Sequence, residues 1–345
     1  MVPTGTARPR SRPLVVAAHG ATPAASRPAL LGQLRRRIFG ISSAEASFAR
    51  RGFRPTSPAT QQRLEQVGYV FLAGYHAALE EPAPTRLAMR LASIEAEWQG
   101  FAFEGAAMAL TLMDAFTPWG ADRLQRFLAG PGHAHRYMVH VGAGWALARL
   151  RRPVAPTLQR LNPVLAWLVV DGYGFHEGYF GWQRYLGGQA RLPLGGYAAH
   201  VFDQGLGRSL WFVAGADGAV VAEMVQSLPA PRRADLWSGI GLACTYAGGA
   251  DPASMAALRV LAGPYVAPLA QGAAFAATAR LHAGNTAKHT DLACRVLTGL
   301  NVVEATRLTE ASLLGLPNDW PGHGYETWRQ RIQAYFGQAR GGHGV

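Results

Sequence analysis

The sequence predicts an all-α fold, built as an α-solenoid-like superhelical array of roughly seven to eight helical hairpins. A short motif of glycine, alanine and aromatic residues recurs with a period near 33 residues. That period fits two helices of three or four turns with two short connections, the unit size of helical solenoids. Each copy also continues into apolar residues at helical spacing, which favours helices over strands.

The first glycines of the seven copies define the repeat. They are Gly68, Gly100, Gly142, Gly172, Gly205, Gly239 and Gly272, with intervals of 32, 42, 30, 33, 34 and 33 residues. In the last six copies a small residue follows two positions later, about 200° around a helix. Glycine costs a helix up to about 1 kcal/mol relative to alanine, so its recurrence indicates close packing on both flanks. A phosphate-binding loop would need a preceding strand and the fuller Gly-x-Gly-x-x-Gly pattern.

The chain divides into three predicted parts. Residues 1–30 form an Arg/Pro/Ala-rich tail predicted to be disordered, residues 31–335 a single helical-repeat domain, and residues 336–345 a disordered C-terminal tail. No stretch reaches the roughly 18 apolar residues of a membrane span or resembles a signal-peptide core. We therefore expect a cytoplasmic protein, in which Cys244 and Cys294 are buried thiols and not a disulfide framework.

The formal net charge of +12 raises the question of a nucleic-acid partner. Lys288 is the only lysine, and ten arginines fall between Arg8 and Arg54, where Glu45 is the only acidic residue. These arginines lack the interleaved aromatic residues of single-strand binders. We therefore expect no nucleic-acid partner.

One arginine interrupts an apolar column of the repeat. The residues three positions after the first glycines are Phe71, Phe103, Trp145, Phe175, Arg208, Leu242 and Phe275. A buried guanidinium costs several kcal/mol unless it is paired. Arg208 is therefore expected to pair with Asp203, the preferred interpretation, or with Asp171, or to bind an anionic or carbonyl group of a ligand.

The next column contains the candidates for proton transfer. It consists of Leu72, Glu104, Ala146, His176, Ser209, Ala243 and Ala276, with Glu177 adjacent to the histidine and Asp171 just before the same motif. A histidine beside a carboxylate can move protons near neutral pH. His176, Glu177, Asp171 and Glu104 are the catalytic candidates. The alternative is a hydrogen-bonded core histidine beside a solvated or capping glutamate.

Aromatic residues around these positions also have two interpretations. Tyr173, Tyr179, Trp182 and Trp211, with Arg208, are the candidates for substrate binding because their rings suit a long, flat, unsaturated ligand. Aromatic residues at helical spacing are more commonly part of a core. No metal site is expected, since His133 and His135 stand alone in a Pro/Gly loop, and the cofactor requirement is unknown.

Several ordered segments carry a family resemblance. FGISSAEASFARRGF at 39–53, DGYGFHEGYF, FDQGLGRSLWF and ADLWSGIGLACTYAGG resemble a domain-of-unknown-function family of actinobacterial proteins. These proteins are encoded beside the iterative polyketide synthase in enediyne antibiotic gene clusters, and the resemblance runs from about Phe39 to Trp328. It implies a role in making or maturing the enediyne core, and it carries over no catalytic residue.

Two functions follow as expectations. The first is an enzyme or essential accessory protein that acts on a linear unsaturated polyketide (polyene) intermediate during enediyne core formation. The second is a non-catalytic helical scaffold that docks other enediyne-cluster proteins, including a membrane protein through which it would be membrane-associated. The residues leave open whether the protein is an enzyme.

Overall fold

The computed structural model describes residues 30–117, 122–188, 193–317 and 323–341. These ranges contain 17 α-helices and no β-strand, which confirms the all-α prediction. The helices are α1 (Leu30–Phe39), α2 (Phe48–Arg51), α3 (Pro58–Glu80), α4 (Pro84–Ala92), α5 (Ala96–Ala115), α6 (Arg123–Ala129), α7 (Arg136–Leu150), α8 (Ala155–Leu158), α9 (Trp167–Leu186), α10 (Tyr197–Val213), α11 (Gly218–Gln226), α12 (Arg233–Ala247), α13 (Pro252–Leu261), α14 (Val266–His282), α15 (Lys288–Thr298), α16 (Val302–Ala311) and α17 (His323–Gly341).

The predicted tails fall mostly outside the described residues. Residues 1–29 and 342–345 belong to the undescribed part of the chain. Helix α17 extends to Gly341, beyond the predicted domain end at residue 335. The described part of the segment 336–345 is therefore helical.

Local sequence explains several helix ends. Ser57 accepts a hydrogen bond from the backbone N–H of Thr60, and Pro58 occupies the first turn of α3, where a missing N–H is tolerated. Asn301 and Glu304 form a reciprocal capping box at the start of α16. Helix α15 ends at Gly299, whose φ of 82° suits glycine.

Seven long helices build the core. They are α3, α5, α7, α9, α10, α12 and α14, and each packs mainly against the one before it and the one after it in this order. Helices α5 and α12 are buried on all sides over most of their length, so neither has a solvent-facing stripe. Shorter helices lie between most of these, and α17, which is 19 residues long, packs against α14.

Glycines allow the core helices to approach one another closely. A Cβ atom added at Gly172 of α9 would lie 2.0 Å from the carbonyl oxygen of Val141 in α7, and one at Gly144 of α7 would lie 2.0 Å from that of Val169 in α9. In α10 and α12 likewise, the first glycine faces the preceding helix and the second faces the following one. The predicted close packing on both flanks of the motif is therefore confirmed.

Contacts near both ends of neighbouring core helices give their direction. At the starts of α10 and α12, Asp203 binds Arg232, and at their ends the indole of Trp211 donates to the carbonyl of Gly248. The contacts of α7 with α9 and of α12 with α14 have the same sense. Neighbouring core helices therefore run parallel, and the shorter segments between them return the chain. The superhelical form of the predicted array is not confirmed.

The first two motif copies have a different register from the predicted one. Gly100 lies against the hydroxyl of Tyr246, and Gly68 lies against Ala46, so neither faces a neighbouring motif helix in the expected way. The glycine of α5 that approaches the backbone of α3 is Gly105, which lies against Phe71. The interval from this glycine to Gly142 is 37 residues, not 42.

The early core helices also contact the late ones. Nε of Arg63 in α3 donates a hydrogen bond of 2.7 Å to the carbonyl of Ala247, and Nη1 of Arg280 in α14 donates one of 2.8 Å to the carbonyl of Glu97. The rings of Phe101 and Tyr246 meet edge to face at 5.2 Å. Helices α3 and α5 therefore pack against α12 and α14, and the helical array encloses an interior.

No single helix in the described ranges combines the length and the apolar character needed to cross a membrane. One pair, Pro252–Leu261 with Gly263–His282, meets the length and composition criteria only when taken together, and it is bent by 109°.

Candidate functional site

A column of polar side chains runs through the buried interior. We call it the polar column. Each member directly precedes the glycine that packs against the preceding core helix; in α7 this position is the apolar Val141. The polar column consists of Glu104, Asp171, Gln204, Ser238 and Gln271, from α5, α9, α10, α12 and α14. All five side chains are buried. Because the next helix packs its glycine against the backbone at this position, the glycine contacts set where these side chains lie.

Hydrogen bonds connect four members of the polar column. The amide of Gln204 donates to Asp171 at 2.8 Å, and the hydroxyl of Ser238 donates to Gln271 at 2.8 Å and to Gln204 at 3.5 Å. Gln204 also donates to the hydroxyl of Tyr325 in α17 at 3.1 Å. These buried hydrogen bonds hold the four side chains in fixed positions.

Arg208 pairs with Asp171 and not with Asp203, the partner preferred from the sequence. Its guanidinium donates to Asp171 Oδ1, and both side chains are almost completely buried. Asp203 instead binds Arg232 through two hydrogen bonds, of 2.6 and 2.9 Å. The reason is the crossing of α9 and α10, which places Asp171 against Gly205, one turn before Arg208.

An apolar cavity lies close to this ion pair, since Phe175 lines the cavity and its ring centroid is 4.6 Å from the guanidinium of Arg208. Its enclosed volume is about 50 Å³, within about 570 Å³ of free space that includes the open mouth. Its walls come from α3, α5, α7, α9, α10 and the segment before α2. Aromatic rings dominate the lining: Phe71, Phe101, Trp145, Phe175, Tyr179, Phe180 and Phe212. We call this space the aromatic cavity. Of the two carboxyl groups that line it, only that of Glu104 is fully buried.

The surroundings of Glu104 tune its proton affinity. Burial raises the pKa of its carboxyl group to about 7; the Asp171 charge adds to this, while Arg208 and the nearby Trp145 indole counteract it. Oε1 of Glu104 has no hydrogen-bond partner in the described residues. A carboxyl with a pKa near 7 can both donate and accept a proton at neutral pH, as a general acid–base residue must.

Glu104 should make folding pH-dependent. Because its folded pKa of about 7 exceeds the ordinary 4.5, its contribution to the free energy of unfolding is complete below pH 4.5 and falls as the pH rises through 7. We expect a loss of about 3 kcal/mol between pH 4.5 and 8. Urea unfolding at several pH values should show that the wild type loses about this much stability relative to Glu104→Gln. The buried histidines, whose pKa values are lowered, contribute equally to both proteins.

The matched control is Glu223→Gln, at an exposed position of α11. It should keep the pH profile of the wild type. Identical profiles for the wild type and Glu104→Gln would mean that Glu104 is ionised in the folded protein at neutral pH without penalty.

His176 and Glu177 lie on a different face of α9. His176 is five residues after Asp171, about 140° around the helix, so the two side chains diverge. Nδ1 of His176 is 3.4 Å from Oε1 of Glu177, whose other oxygen accepts a hydrogen bond of 2.9 Å from the hydroxyl of Tyr185. Burial lowers the pKa of His176, and that of Glu177 is lowered despite its burial by its contacts with His176 and Tyr185. The predicted catalytic residues therefore form two separate groups.

The predicted aromatic residues also separate. Tyr179 lines the aromatic cavity. Trp211 is buried and its indole donates to the carbonyl of Gly248 at 2.8 Å, whereas the indole of Trp182 donates to that of Arg51 at 3.3 Å. Tyr173 packs against Phe202. Of these four side chains, the structure places only Tyr179 in the wall of the cavity.

The remaining polar candidates have local surroundings. The described residues contain no group of three or more His, Cys, Asp or Glu side chains arranged to hold a metal ion. His135 stacks on Phe103, with ring centroids 3.9 Å apart. Cys244 and Cys294 are buried free thiols, as predicted.

Sequence reasoning missed Gln204, Ser238 and Gln271. The signal was present, because four consecutive copies carry Asp171, Gln204, Ser238 and Gln271 just before the first glycine. The polar column lies directly before the glycine, whereas the columns of Arg208 and His176 lie three and four positions after it. Tyr325 lies in α17, outside the repeat, and no repeat column could have indicated it.

The fold and the site together define an all-α protein with one deeply buried carboxyl group beside an aromatic cavity. The chain belongs to the family described as "Protein of unknown function (DUF1702)", whose family model matches residues 30–336. This confirms the predicted membership of a domain-of-unknown-function family. No curated protein and no solved structure matches the chain.

Proposed function

We propose that this protein binds a linear, highly unsaturated polyketide in the aromatic cavity and acts on it during formation of an enediyne core. The observation that carries the proposal is the position of Glu104, a carboxyl group with a pKa of about 7 in a wall made mainly of aromatic rings. Ligand sites of this kind combine an apolar lining with a small number of placed polar groups.

The aromatic rings suit a flat, conjugated chain. Trp145 and Phe175 meet edge to face at 5.0 Å, and Trp145 also contacts Phe71 at 4.7 Å, so the rings form a continuous wall. Packing of a polyene against ring faces gains dispersion and removes apolar surface from water. The cavity therefore favours an unsaturated hydrocarbon chain over a polar substrate.

The reaction class that we propose is proton transfer. The protonated carboxyl of Glu104 donates its proton to one atom of the bound chain, and the resulting carboxylate accepts a proton from another atom of the same chain. The net change is an isomerisation in which Glu104 is regenerated. Arg208 and Asp171 are positioning residues here, because they act on Glu104 through their charges.

The pathway rests on the family resemblance of the repeated segments. Proteins with similar segments are encoded beside an iterative polyketide synthase, which makes linear polyene chains. A polyene intermediate would match the apolar, aromatic character of the cavity. This context supports the enediyne pathway and leaves the identity of the product to experiment.

The test is complementation of a producer strain that lacks this gene, with metabolites measured by mass spectrometry. Wild type and Glu223→Gln should restore the product, whereas Glu104→Gln should lower it at least about tenfold and accumulate a polyene, because a general acid–base residue contributes about 10²–10⁴-fold to rate. Full restoration by folded Glu104→Gln would overturn the proposal.

A second candidate is the non-catalytic scaffold, which an exposed apolar face on α1 favours. Leu30, Leu34 and Ile38 follow one another at four-residue intervals and are 85%, 52% and 62% exposed. An exposed apolar stripe flanked by arginines is typical of an interaction surface. In the same strain, a scaffold predicts loss of product for Leu34→Ser with Ile38→Ser and full product for Glu104→Gln.

A further inference from the structure

An open depression lies on the other side of α9 from the ion pair of Arg208 with Asp171. We call it the arginine basin. Its volume is about 300 Å³, and it is lined by Ala148, Arg149, Arg151, His176, Glu177, Phe180 and Arg184. Three guanidinium groups face one carboxylate there, so the basin carries an excess of positive charge.

Two of these arginines have no counter-charge. In the described ranges, neither Arg149 nor Arg151 forms an ion pair, whereas Arg184 lies 3.6 Å from Glu177. Arg151 also adopts a left-handed backbone conformation, with φ of 52° and ψ of 40°, at the end of α7, a position that glycine usually occupies. A non-glycine residue held in this region is uncommon and strained, and such strain is concentrated at functional sites.

A buried polar atom also lines the basin. His176 is more than nine-tenths buried, and its Nδ1 lies 3.4 Å from Oε1 of Glu177 without hydrogen-bond geometry to any group in the described residues. Buried polar groups in folded proteins are normally satisfied. A ligand oxygen in the basin would give this nitrogen a well-oriented partner.

One side chain separates the basin from the aromatic cavity. Phe180 lines both spaces, and its ring centroid is 4.8 Å from that of His176. The next residue, Gly181, has φ of −135° and ψ of 24°, so the helical conformation of α9 is interrupted directly after Phe180. A rotation of the Phe180 side chain would join the two spaces into one elongated site.

We propose that the arginine basin binds the anionic end group of the ligand, a carboxylate or a phosphate, while the apolar chain of the ligand passes Phe180 into the aromatic cavity. This inference rests on the proposed function and names its substrate class: an amphiphile with a linear unsaturated chain and one anionic terminus. Arginine forks match the oxygen pairs of both carboxylate and phosphate groups.

The experiment uses cis-parinaric acid, a conjugated tetraene fatty acid whose fluorescence rises in an apolar site, and its uncharged methyl ester. The full-length wild type should bind the acid at least about tenfold more tightly than the ester, consistent with charge-assisted contacts. Competition by dodecyl phosphate and by dodecanoate then distinguishes a phosphate site from a carboxylate site.

Variants separate the basin from the rest of the surface. Arg149→Glu with Arg151→Glu should abolish the preference for the acid and leave ester binding unchanged. The control, Arg259→Glu with Arg307→Glu, makes the same change of net charge at exposed positions of α13 and α16 and should keep the preference.

The outcomes distinguish the two proposals. Equal affinities of the wild type for acid and ester would overturn the anionic-terminus proposal alone. If neither probe bound to folded wild type, the aromatic cavity would not be a polyene site, and both proposals would fail. Retention of the acid preference by the Arg149/Arg151 double variant would place the anion site elsewhere.

Discussion

Arg208→Met should lower the free energy of unfolding by about 3–5 kcal/mol, because it leaves Asp171 as a buried charge without its cationic partner. Gln204 alone would then donate to this carboxylate. The substitution also removes the charge that lowers the pKa of Glu104, so the pKa of that carboxyl should rise further. Urea unfolding at pH 7 measures the first effect.

A second substitution tests whether the loss comes from the unpaired charge. Arg208→Met with Asp171→Asn should recover most of the lost stability, since neither charge remains. The control is Arg126→Met, which breaks an exposed pair with Asp122 and should cost less than about 1 kcal/mol. A similarly small cost for Arg208→Met would show that Asp171 finds water or another donor in its absence.

Gly144→Ala should destabilise the fold by about 3 kcal/mol or more, at or above the upper end of the range for overpacked cores. Its Cβ would lie 2.0 Å from the carbonyl oxygen of Val169 and 2.6 Å from the backbone N of Tyr173. Backbone atoms of a packed helix move only if the helix moves, so α7 and α9 would have to separate. Thermal and urea unfolding measure the loss.

The matched control for this substitution is Gly337→Ala in α17. No atom lies within 4 Å of the position that its Cβ would occupy. Alanine is the better helix former by about 1 kcal/mol, so this variant should be slightly more stable than the wild type. Equal effects at the two positions would mean that the close approach of α7 and α9 does not constrain the fold.

Periodicity was sufficient to predict the helical class and the close packing, because glycine and alanine recurring on two flanks of a helix are typical of helices packed on both sides. It failed to give the register of the first copies. Gly100 makes room for the hydroxyl of Tyr246, whereas the later motif glycines make room for a helix backbone, and the sequence alone does not distinguish these two roles. Counted from Gly100, Glu104 falls in the column of His176. Counted from Gly105, it falls in the column of Asp171.

The pairing of Arg208 depends on the register of α9 against α10. Asp203 is closer in sequence, yet it lies five residues before Arg208, about 140° around the helix, and binds Arg232. Asp171 becomes the partner because Gly205 lies against it where α9 and α10 cross. The pKa of Glu104 likewise arises from burial and from charges on other helices, which no spacing along one helix records.

The shared direction of the core helices sets the smallest step by which such a chain could have grown during evolution. Duplication of a single unit of about 33 residues, one core helix with its connection, leaves the direction of every later helix unchanged. The side chains of the added helix then meet the interior from the same end as those of its neighbours. The smallest heritable step is therefore one unit, and the lengths of related genes should differ by multiples of it.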